Sequence, residues 1–285
     1  MTAQIWMLIC ITLLMLTAAA LAVMIQQARK LTVRKEDFTA DGEDALRFVL
    51  LSDFHISKMP IHWDYICTNI AKAAPDFVAV AGDLIFSKKD GPAVLSFFTL
   101  LTEYVDCPVY VTYGNHDNNK LFCHDAGLKR AFTGELESIS SRIRVLEDKN
   151  LVYTAGDRRV VLCGLSDFRT GEPGGAERQL EEAREQARKM SASLLLISHN
   201  PDILTELPEH CADLAVFGHY HDGQVHLPGR AEFKVLRRKD QLACMGYQYG
   251  RYLYKGTPIY ITSGLGNTNL AIRYQSVPEI AVITF

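Results

Sequence analysis

Five apolar runs in this chain end in side chains that bind metal ions or move protons. LRFVLL (46–51) is followed by SDFHIS, which sets Asp53 and His55 two apart. FVAVA (77–81) leads into Gly82 and Asp83, and VYVTY (109–113) into Gly114, Asn115, His116 and Asp117. LLLI (194–197) is followed by His199, and DLAVF (213–217) by GHYH, with His219 and His221. Taken singly, an aspartate or histidine after a strand is most often a turn or cap residue. Taken together, five such ends choosing carboxylate, amide or imidazole point to one site. Imidazole nitrogen with carboxylate oxygen suits two divalent ions of the Mn, Fe, Zn or Co type. Two aspartates and a hydroxide set three negative charges against four positive ones. The surplus attracts a phosphate anion, and a neutral Asn115 in place of a third carboxylate preserves it.

The elements that must position these groups are short and nearly continuously apolar. Besides the five runs, 160–165, 259–262 and 280–285 read the same way. Such runs imply strands buried on both faces. Helical stretches at 62–73, 91–104 and 176–190 separate several of them. In the last, Ala176, Leu180, Ala183, Ala187 and Met190 form one stripe, with Glu185 and Lys189 paired on the polar side. Strands alternating with helices predict an α/β fold, here a sheet sandwich flanked by helices. In such sheets the site lies beyond the carboxyl ends of the strands, where these residues are.

Residues Ile5 to Ile25 carry no charge. At 1.5 Å per residue they span ~31 Å, a bilayer's hydrocarbon thickness. The first charges, Arg29, Lys30, Arg34 and Lys35, follow the run, and none precedes it. The positive-inside rule then predicts an uncleaved single-pass anchor in the cell membrane with the rest in the cytoplasm. TAAALA could also serve as a signal-peptide cleavage site. The expected organisation is an anchor at 1–28, a linker at 29–45 and a catalytic domain at 46–285. Seven cysteines, an odd number with no C-x-x-C pair, argue against a disulfide framework or a cysteine zinc site. A net charge of −3 gives no basic field for nucleic acid.

The ordered set D-x-H, G-D, G-N-H-D, H and G-H-x-H resembles the calcineurin-like metallophosphoesterases. SHNPD, GHYHDGQ and ITSGLG with IRYQSVPEI are similar to the bacterial membrane-associated branch that includes the YaeI and YkuE phosphoesterases. The resemblance implies a four-layer αββα sandwich and a dinuclear site. It implies that Asp53, His55, Asp83 and His221 hold one metal. Asp83 would bridge to a second, held also by Asn115, His199 and His219. His116 would be catalytic, near the leaving group, and Asp117 would orient it. Asp222 departs from the pattern and reads as a turn residue.

The implied reaction is metal-dependent hydrolysis of a phosphodiester or pyrophosphate. The anchor makes a lipid-linked substrate, such as UDP-diacylglucosamine, a natural candidate. A phosphomonoesterase, a phosphoprotein phosphatase or a silent membrane scaffold are the alternatives. Residues 233–256 mix Lys234, Arg237, Arg238 and Lys239 with four tyrosines. They read as a solvated hairpin or as a clamp on headgroups or substrate. Arg273 is a candidate for the substrate phosphate, or a surface arginine. The sequence leaves metal identity and oligomeric state open.

Overall fold

The computed structural model describes residues 2–39 and 45–285. The chain opens with helix α1 (Thr2–Arg29), whose residues 3–23 are exposed on every side. It is long and apolar enough to cross a membrane. Strand β1 (Thr32–Asp37) follows, then β2 (Arg47–Leu51), α2 (Trp63–Ala73), β3 (Phe77–Ala81), α3 (Gly91–Tyr104) and β4 (Val109–Thr112). Helix α4 (Ala126–Ser138), β5 (Ile143–Val145), β6 (Lys149–Ala155), β7 (Arg158–Gly164), α5 (Gly175–Met190), β8 (Ser193–Ile197) and β9 (Leu214–Phe217) come next. Short helices α6 (Ala231–Val235) and α7 (Gln241–Cys244) precede β10 (Gly250–Tyr254), β11 (Thr257–Ile261) and β12 (Glu279–Thr284).

The strands form two six-stranded sheets, ordered β1-β12-β2-β3-β4-β5 and β10-β11-β9-β8-β7-β6. Strands β2 to β5 are mutually parallel, as are β7, β8, β9 and β11. The two-residue strand period decides the layering. Phe48 and Leu50 face the second sheet and pack with Tyr110, Leu162, Leu195 and Tyr260. Val49 and Leu51 face outward onto Ile66 of α2, Phe97 of α3 and Leu136 of α4. The second sheet is covered by Leu180 and Ala183 of α5 and by Phe233 and Leu242 of α6 and α7. The result is helix, sheet, sheet, helix, as the resemblance implied. Both sheets are apolar on both faces, which is why their strands read as unbroken apolar runs.

Helix α5 buries Leu180, Ala183 and Ala187 of the expected stripe, and Glu185 pairs with Lys189 at 2.7 Å. The stretch 29–45 is not linker throughout. Residues 32–37 form an edge strand paired parallel with β12, from Thr32 against Glu279 to Asp37 against Thr284. Its sequence, TVRKED, shows no apolar alternation, because an exposed edge strand needs none and charges keep it from pairing further. Residues 40–44 of that stretch lie outside the described residues. The segment 233–256 is not a hairpin: it runs through the end of α6 and all of α7 before reaching β10.

Candidate metal centre and cleft

The carboxyl ends of β2, β3, β4, β8 and β9 meet at one edge, and the five sequence stretches converge there. Asp53, His55 and His221 form one group whose ligand atoms lie within 4.8 Å of one another, and Asp83, His199 and His219 form another. Asp83 stands between them: its Oδ2 is 3.5 Å from His55 Nε2 and 3.3 Å from His199 Nε2. His221 Nε2 is 3.2 Å from Asp53 Oδ1 and 3.1 Å from His55 Nε2. His219 Nδ1 is 3.1 Å from His199 Nε2.

The backbone fixes which nitrogens face inward. His55 Nδ1 donates to Ile85 O (3.0 Å) and His199 Nδ1 donates to Ala81 O (2.8 Å). In the neutral ring each Nε2 therefore has its lone pair aimed at its group, the arrangement metal-binding histidines use. Lone pairs of two nitrogens 3.1 Å apart repel unless a proton or a cation lies between them. Asp53 Oδ1 and Asn115 Oδ1 are buried without a hydrogen-bond partner, a costly state that a bound cation removes. The donor set, its spacing and these orphaned atoms fit a dinuclear divalent centre.

The loops carrying these residues are strained. Asp53, His55, Asp83, His219 and His221 all have left-handed backbone, with φ of 53°, 38°, 55°, 73° and 51°. Each costs a non-glycine residue roughly 1 kcal/mol or more. These left-handed residues turn the chain sharply just after its strands. Gly114 has a different task from the sharp exit its position suggests. A Cβ there would overlap the Asp83 carboxylate, so only glycine lets β4 and the Asp83 loop meet. Gly218 likewise leaves room for Ser52 and the Asp53 carboxylate.

Burial and mutual charge set the protonation of the group. Burial pushes Asp53 up to about 6. Burial also holds His55 down to about 4 and His219 to about 3. Burial raises Asp83, but His199 overcomes it and holds the carboxyl well below the usual range. Burial lowers His199, yet Asp83 outweighs it and lifts the imidazole to about 10. A cation in the group would take over that proton's role.

His116 lies at the rim, its ring 4.6 Å from that of His55, with Nδ1 unpartnered. Its backbone N–H donates to Asp83 Oδ1 at 2.8 Å. Asp117 does not reach His116. Its buried carboxylate accepts from the backbone N–H groups of Leu84 (3.0 Å), Ile85 (3.2 Å) and Gly114 (2.9 Å). The chain coils into a helical turn at Asp117, which carries the side chain back under the Asp83 loop.

Arg273 is also not where a phosphate could find it. It is fully buried, and its guanidinium donates to Ser263 O, Gly266 O, Ser276 Oγ and Asn267 Oδ1. Ser276 Oγ in turn donates to His221 O (2.9 Å), so Arg273 braces the loop beneath a ligand. Asp222 is a left-handed turn residue, φ 48°, pinned by Arg230 at 2.7 Å.

A cleft of about 560 Å³ opens over Asp83, Asn115, His116, His219 and His221, walled by Arg169, Thr268 and residues 235–240. Arg169 and Arg237 both clamp the Asp240 carboxylate, and Arg237 Nη2 also donates to His219 O at 2.7 Å. Arg169 and Asp167 follow β7 at the same sheet edge. Both lie just past the apolar run at 160–165, the same position after a strand that marks the other site residues. Residues 46–223 match the calcineurin-like phosphoesterase family, more than half of the chain.

The chain is a calcineurin-like phosphoesterase.

Among relatives, this phosphoesterase is 24% identical to the metallophosphoesterase YkoQ of Bacillus subtilis (strain 168), over 82% of each chain. It is 26% identical to the phosphodiesterase YaeI of Escherichia coli (strain K12), over 86% of this chain and 84% of that one. It is 24% identical to the UDP-2,3-diacylglucosamine pyrophosphatase LpxG of Chlamydia trachomatis serovar D, over 84% and 83%. The phosphoesterase fold and the metal-dependent hydrolase chemistry expected from the sequence are thereby confirmed.

Proposed function

We propose that this phosphoesterase is a membrane-anchored phosphodiesterase or pyrophosphatase acting on a lipid-linked substrate. One observation carries the reading: Asp83 stands between the Asp53–His55–His221 group and the His199–His219 pair, at the floor of a cleft walled by Arg169, Arg237, Arg238 and Lys239. Asp53, His55, Asp83 and His221 would hold one ion, and Asp83, Asn115, His199 and His219 would hold the other. When bound, two divalent ions supply positive charge to the phosphoryl oxygens and lower the pKa of water enough for attack near neutral pH.

The chain's own residues do the rest. Arg237 exchanges its Asp240 partner for a substrate oxygen, and the arginines fix the phosphate by paired N–H donors. His116 is the group placed to give a proton to the leaving oxygen. Burial lowers its basicity, and a phosphate anion beside the ring opposes that effect. Asp117 holds the Asp83 loop to β4, so the shared ligand does not drift. The activities of YaeI and LpxG support a diester or anhydride over a monoester. The exposed apolar helix α1 supports an anchor, with the catalytic side in the cytoplasm by the charges that follow it.

The test compares bis-p-nitrophenyl phosphate with p-nitrophenyl phosphate on metal-stripped full chain, reloaded with Mn²⁺, Fe²⁺, Zn²⁺ or Co²⁺. Diester turnover that Asp83→Asn abolishes supports the reading. Turnover of the monoester alone would move the protein to the phosphatases.

A further inference from the structure

Helix α1 does not leave the catalytic domain on a free tether. Met24 O accepts from Arg273 N–H (3.0 Å), and Gln27 Oε1 accepts from Gln275 N–H (2.8 Å). Ala28 is fully buried. The same loop, 267–275, walls the cleft through Thr268. It is tied onward by Gln224, whose Nε2 donates to Leu270 O (2.9 Å) and Ile272 O (3.0 Å), and by His226 N–H to Tyr274 O (3.0 Å). Leu227 N–H then donates to Glu232 Oε2 (2.8 Å) at the start of α6. An unbroken set of contacts therefore runs from the end of α1 to the far wall of the cleft.

Distance along this path is short. The apolar run ends at Ile25, and Met24 to Arg29 covers about 7.5 Å of helix. Arg273 to Thr268 is five residues, at most ~17 Å of chain. If α1 spans a bilayer, the cleft mouth lies within about 20 Å of its surface. The mouth is built for that location. Val235 and Leu236, in one wall of the cleft, are 66% and 76% exposed, and Leu270, two residues beyond the wall residue Thr268, is 65% exposed. Among the described residues Lys234, Arg238 and Lys239 are exposed and have no acidic partner. Apolar side chains beside unpaired cations form the pattern of an interfacial element on anionic lipid.

We infer that residues 234–239 and the tip of loop 267–275 dock on the anionic leaflet that α1 enters, so that the cleft receives its phosphate substrate directly from the bilayer. The inference rests on the anchored reading of α1 given above and extends it from tethering to orientation.

Tryptophan fluorescence in vesicles of phosphatidylglycerol and brominated phosphatidylcholine tests it on the full chain. Three proteins lacking Trp6 and Trp63 (Trp6→Phe, Trp63→Phe) carry Leu236→Trp, Leu270→Trp or Leu253→Trp. Leu253 is the control: it is 66% exposed and pairs with Pro258, at the start of β11 and so at the far end of the sheet from the site. A fourth protein keeps only Trp6, to report α1. Tryptophans at 236 and 270 are expected to quench about threefold or more above that at 253, as residues buried ~5–10 Å into the interface should. Adding Arg238→Glu and Lys239→Glu should return position 236 to the control level. Quenching at 236 and 270 no greater than at 253, with Trp6 quenched, overturns the inference and leaves the anchor standing. An unquenched Trp6 overturns both. Diester turnover, read separately, reports on the enzyme reading and not on docking.

Discussion

Asp117→Asn separates two accounts of a residue that the sequence and the structure explain differently. In the structure the N–H groups of Leu84 and Ile85 point at Oδ1, that of Leu84 also reaching Oδ2 at 3.2 Å, while Gly114 N–H points at Oδ2, 2.9 Å away. An asparagine keeps Oδ1 as acceptor but sets an NH₂ donor against the Gly114 donor. One charge-assisted hydrogen bond is lost and one buried N–H is left unpaired, together about 2–4 kcal/mol. The loss falls on the junction between the Asp83 loop and β4, so the shared ligand moves. Metal affinity should therefore fall about 10–100-fold, the range for a group that supports a ligand. Isothermal titration of Mn²⁺ into stripped protein measures it, with urea unfolding of the stripped protein reading the stability loss. If Asp117 instead worked by orienting His116, the variant would bind two ions as the parent does. It would lose rate most steeply with poor leaving groups. Unchanged Mn²⁺ affinity with that leaving-group signature would refute the reasoning.

Further outcomes follow from the same geometry. Gly114→Ala forces a methyl into the Asp83 carboxylate and should cost about 1–3 kcal/mol of stability along with most metal binding, read by calorimetry and titration. Arg273→Met should destabilise the fold by about 3 kcal/mol, because buried carbonyls of Ser263 and Gly266 lose their donor; a raised KM with unchanged Tm would restore it to substrate binding. Stripping the ions should lower Tm, and returning them at 100 times Kd should recover about 2.7 kcal/mol per ion bound. Metal occupancy should fall as pH drops, since each histidine ligand must be neutral to bind, and elemental analysis after dialysis at descending pH checks this.

Much of this site was legible because its residues sit at strand ends. Apolar runs identify β2, β3, β4, β8 and β9, and in such a sheet the next few residues must reach the carboxyl edge. Two classes of feature escaped. Strand β1 carries no buried period because it lies exposed at an edge, and β5, although it alternates buried, exposed, buried, has only three residues. Asp117 and Arg273 were found but given the wrong partners. The family resemblance implied His116 for one, and the other was read as a phosphate contact or a surface arginine.

The sequence by itself determined the candidate ligand types, their order and the edge of the sheet where they gather, because strand periodicity and strand-end chemistry are local. Tertiary structure alone decided that Asp117 serves the backbone, that Arg273 is sealed beneath His221, and that α1 is bonded to the wall of the cleft. Those facts depend on which strands become neighbours and in what register. That choice is made by burying both faces of two sheets at once, and no short stretch of the chain records it.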